Sequence, residues 1–220
     1  MVRRGAGTEA DRGRDRGSRA PRGGGGRPRR PGARGRRQRG HALSPHVEVA
    51  RSGYALPGPD EVEQLYALAS ARPPLSGDTD VAATYAALYD LALDRADLAA
   101  VTAREVGELI GVCCGHRWNW TEQTDEWSQD LAERLGDDAA QLEGSFAVQL
   151  LAVHPSFSRQ GLGFELLKRL MIASAASVHW LLTPDADTSA RRLFRRMGYR
   201  PLTVGPEAPN GEPGVVLVHG

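Results

Sequence analysis

The 220-residue sequence predicts an α/β (α+β) domain, a mixed central sheet with helices on both faces, preceded by a disordered Arg/Gly-rich tail. Three observations carry this expectation. Hairpin-forming strands occur early in the chain, whereas strands and helices alternate late, which favours a mixed sheet covered on both sides. Apolar runs too short for helices are bounded by glycine and proline. The charge is also split: residues 1–41 hold 14 Arg against 3 acidic residues, and residues 42–220 hold 14 Lys and Arg against 24 Asp and Glu, so a net of +1 conceals +11 and −10.

The expected division is a tail over residues 1–45 and a domain over 46–220. Gly, Pro and Arg dominate the tail, and residues 1–41 contain no Phe, Trp or Tyr. Such a segment buries too little apolar surface to offset the entropy of ordering it. Its charge would allow non-specific nucleic-acid contact, but no aromatic residues are interleaved to stack on bases. A solubilising extension or an over-long reading frame in GC-rich sequence is the favoured reading.

The domain begins with a strand in "HVEVARSGY" (46–54) and a helix in "LPGPDEVEQLYALASARPP", opened by Pro59 with acidic residues in its first turn and closed by Pro73-Pro74. A second helix in "TDVAATYAALYDLALDR" presents Val81, Tyr85, Leu88 and Leu91 as its apolar stripe. "LAAVTARE" and "ELIGVCCGHRW" form a hairpin about Val106-Gly107. An acidic stretch, 119–143, contains a short helix in "TDEWSQDLAERLG" with Trp127, Leu131 and Leu135 on one face. "SFAVQLLAV" reads as a central strand buried on both faces. The next helix aligns Leu166, Leu167, Leu170 and Met171, and a short buried strand follows in "SVHWLLT". The last helix aligns Ala190, Leu193, Phe194 and Met197, with four arginines outside the stripe and Gly198 as terminator. "YRPLTVG" and "GVVLVHG" close the sheet.

Cys113 and Cys114 are adjacent in a strand, so they point to opposite faces and form no disulfide framework, as in a reducing cytoplasm. The six histidines are scattered without metal-ligand spacing, so no metal is expected. No stretch has the length of a membrane span, and the N-terminus lacks the apolar core of a secretory signal; a cytoplasmic location is expected.

The chemistry concentrates in "VHPSFSRQGLGFELLKRL". A strand runs into a turn containing Gly161 and Gly163, then into a helix whose first amides lack intrahelical partners and carry the positive end of the helix dipole. Glycines let a bulky anion approach such a backbone. Neither a phosphate-loop Lys-Ser/Thr pair nor a full G-x-G-x-x-G follows, so the turn alone is equally readable as an ordinary strand-to-helix connection.

Two segments together break that tie. "LLAVHPSFSRQGLGFELL" resembles the coenzyme-A-binding motif of the GNAT N-acetyltransferase superfamily, Q/R-x-x-G-x-G/A after a strand ending in V-x-P, and "DTSARRLFRRMGYR" resembles the family's N-x-x-A-x-x-L-Y-x-x-x-G-F helix. The likeness spans roughly 46–220 and includes the order of elements. It implies a mostly antiparallel sheet, acetyl-CoA as cosubstrate, and transfer of an acetyl group to an amine by direct attack in a ternary complex. By position it implies that the backbone of Leu151, Ala152 and Val153 pairs with the pantetheine arm. The amides of Arg159, Gln160, Gly161, Leu162, Gly163 and Phe164 hold the pyrophosphate, and Asp187 takes the place of an Asn that contacts the cofactor. Two departures stand out: Ser158 opens the glycine motif, and Phe194 replaces the tyrosine that protonates the leaving thiolate. Leu150 and Leu182 stand where some members carry an acidic base, so no catalytic residue is assigned. These departures keep open an inactive coenzyme-A-binding sensor or partner module, and the tail keeps open a nucleic-acid-associated protein.

Other residues carry weaker expectations. Gln149, the polar residue of the central strand, would line an acceptor pocket or bond a neighbouring strand. Trp118 and Trp120 would flank the cleft mouth, with Trp118 a candidate acceptor contact and core packing the competing reading. Glu143 reads as a solvated hinge before it reads as a base, and His116 and His154 read as strand-end histidines.

Overall fold

The computed structural model describes residues 45–51, 56–73, 75, 77 and 79–220. The expectations for the Arg-rich tail fall almost wholly outside the described residues. The chain runs β1 (His46–Arg51), α1 (Pro59–Ser70), α2 (Thr79–Leu93), β2 (Ala99–Glu105), β3 (Glu108–Arg117), α3 (Glu126–Leu135), β4 (Phe146–Val153), α4 (Leu162–Ser174), β5 (His179–Pro184), α5 (Ser189–Arg196), β6 (Arg200–Val204) and β7 (Gly214–His219). The strands form one seven-stranded sheet in the order β1-β2-β3-β4-β5-β7-β6. Every neighbouring pair is antiparallel except β4–β5. The element order and the mixed, mostly antiparallel sheet are those expected from the sequence.

Strand alternation sends side chains to two faces. On one face α4 lays Leu166, Leu167 and Leu170 over Val101, Cys113, Val148 and Leu217, and α5 adds Phe194. On the other, α1 and α2 cover Ala100, Val112, Cys114 and Leu150 with Val62, Leu65 and Tyr89. Cys113 and Cys114 thus face opposite cores, both as free thiols. A third core lies where α3 and the 3-10 stretch Gly136–Leu142 are inserted between β3 and β4. Leu131, Leu135 and Leu142 pack there against Trp118, Trp180, Val216 and Val218.

Helix α2 is rotated from its expected stripe. It buries Ala82, Ala86, Tyr89 and Ala92, while Leu88 and Leu91 are 42 % and 73 % exposed. The small alanines permit close approach to the sheet and α1, Tyr85 stacks on Tyr66 with centroids 4.2 Å apart, and the Tyr89 hydroxyl donates to the Pro57 carbonyl at 3.0 Å. In α3 the inward face is Ser128, Leu131 and Leu135; Trp127 is turned outward and its indole N–H donates to the Glu207 carbonyl at 3.2 Å. Asp125 caps that helix, accepting from the Ser128 amide at 2.9 Å. Among the described residues, no helix is long and apolar enough to cross a membrane.

Candidate active site

Strands β4 and β5 pair only at Phe146–His179 and Ala147–Trp180. Beyond Ala147 the described residues of β5 offer β4 no partner, so the sheet opens into a V between its two parallel strands. On its other side β4 stays paired with β3 up to Val153–Gly111. The His154 amide donates to the Ile110 carbonyl at 2.9 Å, which makes that a hydrogen-bonded pair. Antiparallel alternation then spends the backbone groups of Ala152 on Val112 and turns those of Leu151 and Val153 toward the open V. Of the three strand residues expected to meet the cofactor arm, two present free edges and Ala152 does not.

The ladder carries a bulge next to the apex of the V. Cys114 faces Leu150 and Gly115 faces Val148, which leaves Gln149 as an extra residue on β4. The side-chain Oε1 of Gln149 is buried without a hydrogen-bond partner. It does not bond a neighbouring strand, the alternative that its position in the sequence allowed.

At the mouth of the V the chain makes a 3-10 turn, Pro155–Phe157, and then the glycine turn. His154 accepts from the Ser156 amide at 3.2 Å, the Ser158 hydroxyl donates to the Pro155 carbonyl at 2.8 Å, and the Gln160 side-chain amide donates to the Ser156 carbonyl at 2.8 Å. The loop is thus braced by its own polar side chains. Arg159 and Gly161 have φ of +59° and +89°. Gly161 is the N-cap of α4, and the left-handed conformation there suits a residue without Cβ. The first bond of the helix runs from the Glu165 amide to the Gly161 carbonyl at 3.0 Å, so the amides of Leu162, Gly163 and Phe164 precede it. Gly163 has a packing reason: a Cβ there would lie 3.3 Å from Leu193 and 3.6 Å from Val153. It lets α4 approach α5 and β4 together. Arg169 holds α4 to the sheet, bonding Glu165 at 2.6 Å and the Val47 carbonyl at 2.9 Å. A groove of about 340 Å3 between β1 and this turn is lined by Val47, Phe157, Gln160, Gly161 and Leu162 among others.

Asp187 lies just before Thr188, the N-cap of α5, and its carboxylate pairs with Arg192 at 2.9 Å. It borders a second cleft of about 420 Å3, between the β5–α5 connection and β6–β7, lined also by Asp185, Arg191, Arg195 and Tyr199. Phe194 is buried in the core beneath α4 and α5 with its ring 5.7 Å from Tyr199. The Tyr199 hydroxyl is buried and unpartnered, and burial raises its pKa. Sequence reasoning passed over Tyr199; its place directly after Gly198, where the family motif ends in Phe, was the available signal.

Several candidates are engaged in core packing or in hydrogen bonds to the backbone. Trp118 is 5 % exposed and sits in the third core between Trp120 and Trp180, with ring centroids at 5.3 and 4.8 Å. The inserted α3 segment supplies that core, so Trp118 packs there instead of walling a cleft. Trp120 donates its indole N–H to the Ala139 carbonyl. Leu182 packs where Cβ atoms on Gly205 or Gly214 would collide with it, and Leu150 belongs to the α1–α2 core. Glu143 accepts from the Trp120 amide at 2.9 Å, bracing the connection into α3. His116 lies within β3 and not after it, buried, with Nδ1 2.6 Å from the Arg117 carbonyl; burial lowers its pKa.

The fold is therefore a mostly antiparallel sheet parted between two central parallel strands, with a glycine-capped helix N-terminus at the mouth of the parting. A family model described as the acetyltransferase (GNAT) family matches residues 62–199, and the chain belongs to that family. It is an N-acetyltransferase. Among solved structures the fold is similar to a Desulfovibrio desulfuricans protein described as an acetyltransferase of the GNAT family, at 17 % identity and TM-score 0.53, over 79 % of this chain and 98 % of that one. It is also similar to Arabidopsis thaliana NAA60 in complex with a bisubstrate analogue, at 16 % identity and TM-score 0.51, over 79 % and 97 % of the two chains. A third is a Corynebacterium glutamicum structure named histone acetyltransferase HPA2 and related acetyltransferase, at 21 % identity and TM-score 0.51, over 80 % and 96 %. At these identities the likeness is one of fold. No curated protein matches the sequence.

Proposed function

We propose that the chain transfers an acetyl group from acetyl-CoA to an amine by direct attack within a ternary complex. The parting of β4 from β5 after two residue pairs carries this reading. An extended arm with amide groups would take the place of the missing strand, bonding the free backbone groups of Leu151 and Val153. Its pyrophosphate would meet the amides of Gly161, Leu162, Gly163 and Phe164, where the dipole of α4 favours an anion. Arg159 stands exposed beside them and would add a charge-assisted contact. Asp187, at the start of α5, would contact the cofactor through its backbone or carboxylate.

These groups act by placement. The amine lone pair forms the N–C bond at the thioester carbonyl, the C–S bond breaks with its electron pair on sulfur, and the surplus proton of the new amide ends on the thiol. Holding the two reactants together accounts for a large share of such a rate enhancement. The buried Phe194 supplies no proton, and the reaction as drawn asks none of it.

Calorimetry with acetyl-CoA and a thiol-release assay over an amine panel test the reading. Saturable binding and acceptor-dependent thiol release are expected. Binding without release from any amine would count against catalysis, and absence of binding against the cofactor site itself.

A further inference from the structure

The junction of β4 with β5 is held by two residue pairs, whereas β5 is held to β7 by six. One of the two is Phe146–His179, and beside it the Phe146 amide donates to the Val178 carbonyl at 3.0 Å. His179 is buried at this point. Its ring centroid lies 5.8 Å from that of Phe146 on β4 and 6.3 Å from that of His219, its direct ladder partner on β7. The place where the two parts of the sheet join thus carries a buried histidine set against a second one.

Hydrogen bonding fixes which nitrogen of His179 is bare. The Ser174 hydroxyl donates its one hydrogen to the Met171 carbonyl at 2.9 Å. The 2.7 Å contact between Ser174 Oγ and His179 Nε2 then requires the hydrogen on Nε2. Nδ1 is left as the atom that would take a proton, and it is buried with no partner. A proton there creates a buried imidazolium whose new N–H has no acceptor. The neighbours do not compensate it. Phe146 on β4 and Met171 and Ser174 on α4 are uncharged. His219 on β7 opposes a positive charge, and its own Nδ1 is also buried without a partner. Behind it lies Tyr199, with ring centroids 5.4 Å apart, and Cys113 of β3 shares the same core; burial raises both, so they stay neutral. Burial and then His219 lower His179 to about 4.

We propose that this histidine pair makes the junction a proton-sensitive clasp: a proton on His179 Nδ1 parts the two β4–β5 pairs, and a ligand lying along the V holds them closed. Hydration relieves a buried cation, and local opening is the least disruptive route to it. Six pairs keep His179 on β7, two keep it on β4, and past Ala147 the β4–β5 ladder has ended. The closed junction is fully favoured above about pH 6.5 and loses that advantage as pH falls toward 4. Proton and ligand act on one equilibrium in opposite directions. The clasp rests on the geometry of the junction; its coupling to acetyl-CoA rests on the cofactor reading above.

Hydrogen exchange at the Phe146 amide, measured on the full chain, tests this. With His179 at about 4 when closed and about 6.5 when open, opening should grow roughly 30-fold from pH 7.5 to pH 5, after correction for intrinsic exchange. Low urea should barely change the Phe146 rate, while amides of the β2–β3 ladder follow the steep dependence of global unfolding. His179→Gln keeps an N–H for Ser174 and takes no proton, so the acid response should shrink to ~3-fold or less. His219→Gln removes the group that lowers His179 and should shrink the response in part. Acetyl-CoA at 100 times its Kd should slow Phe146 exchange ~100-fold. A Phe146 rate indifferent to pH would overturn the clasp, as would the urea dependence of global unfolding at that amide. A full acid response in folded His179→Gln would do the same; should that variant not fold, His219→Gln decides. Bound acetyl-CoA that leaves the Phe146 rate unchanged would overturn the coupling. If calorimetry shows no acetyl-CoA binding, the cofactor reading falls, and the pH and variant results still decide the clasp.

Discussion

The carbonyl oxygen of Ala147 occupies the space where a side chain on Gly115 would begin, with an ideal Cβ only 2.0 Å away. The Phe146 ring closes the same space at 2.7 Å. Backbone on one side and a buried ring on the other leave no flexible neighbour to give way. Gly115→Ala should therefore destabilise the fold by about 2–3 kcal/mol, as overpacking at a rigid contact does. Urea unfolding would show it, and an unchanged midpoint would mean that the β3–β4 bulge is not built as described.

Gly161 makes a different demand. Space around it is open, but its φ is +89°. Gly161→Ala meets no neighbour and still forces an L-residue into the left-handed region, at a cost of about 1–2 kcal/mol. The expected signature is a lower Tm together with weaker acetyl-CoA binding, since the turn would relax away from the shape that presents the α4 amides. Loss of stability with full affinity would separate the turn from the anion site.

Tyr199 offers a substitution that should help. Its hydroxyl is buried without a partner while the ring packs among Phe194 and the α4–α5 core. Tyr199→Phe removes only the unsatisfied group, so stability should hold or rise by about 1 kcal/mol. Chemical denaturation checks this. A clear loss would show that the hydroxyl has a partner, such as a buried water, that its removal orphans.

His179 sets a pH dependence. It is buried, its Nδ1 has no partner, and its pKa is lowered to about 4 by burial and then by His219 across the β5–β7 ladder. The unfolded chain, with a histidine pKa of about 6.5, binds a proton that the folded chain refuses. Stability is then complete above about pH 6.5 and falls as pH drops toward 4. His116 titrates in the same sense, so His179→Gln should flatten the slope without abolishing it. Denaturation midpoints from pH 7.5 to 4.5 for both proteins would reveal the difference.

How much of this was legible in the sequence follows the range of the interactions. The glycine turn, the α4 stripe of Leu166, Leu167 and Leu170, the Val106-Gly107 hairpin and the opposed cysteines are local matters of period and turn chemistry, and they were readable. The orientation of α2 was not. Its buried face is made of Ala82, Ala86 and Ala92, small residues chosen for close approach, and they give a weaker apolar signal than the Leu88 and Leu91 left outside. The bulge at Gln149 and the parting after Ala147 depend on register between strands distant in sequence, which no window of residues records. Trp118 was open to two readings because an aromatic residue at a strand end looks alike in a cleft wall and in a core; the α3 insertion decided for the core.

The two-pair seam between β4 and β5 has a mechanical meaning as well. It divides the sheet into a four-stranded leaf, β1 to β4, and a three-stranded leaf, β5 to β6, stitched edge to edge at one end only. Whatever lies along the open length of that joint bears load between the leaves. A molecule seated there would be consumed as a reagent and, for as long as it stayed, would serve the protein as a beam.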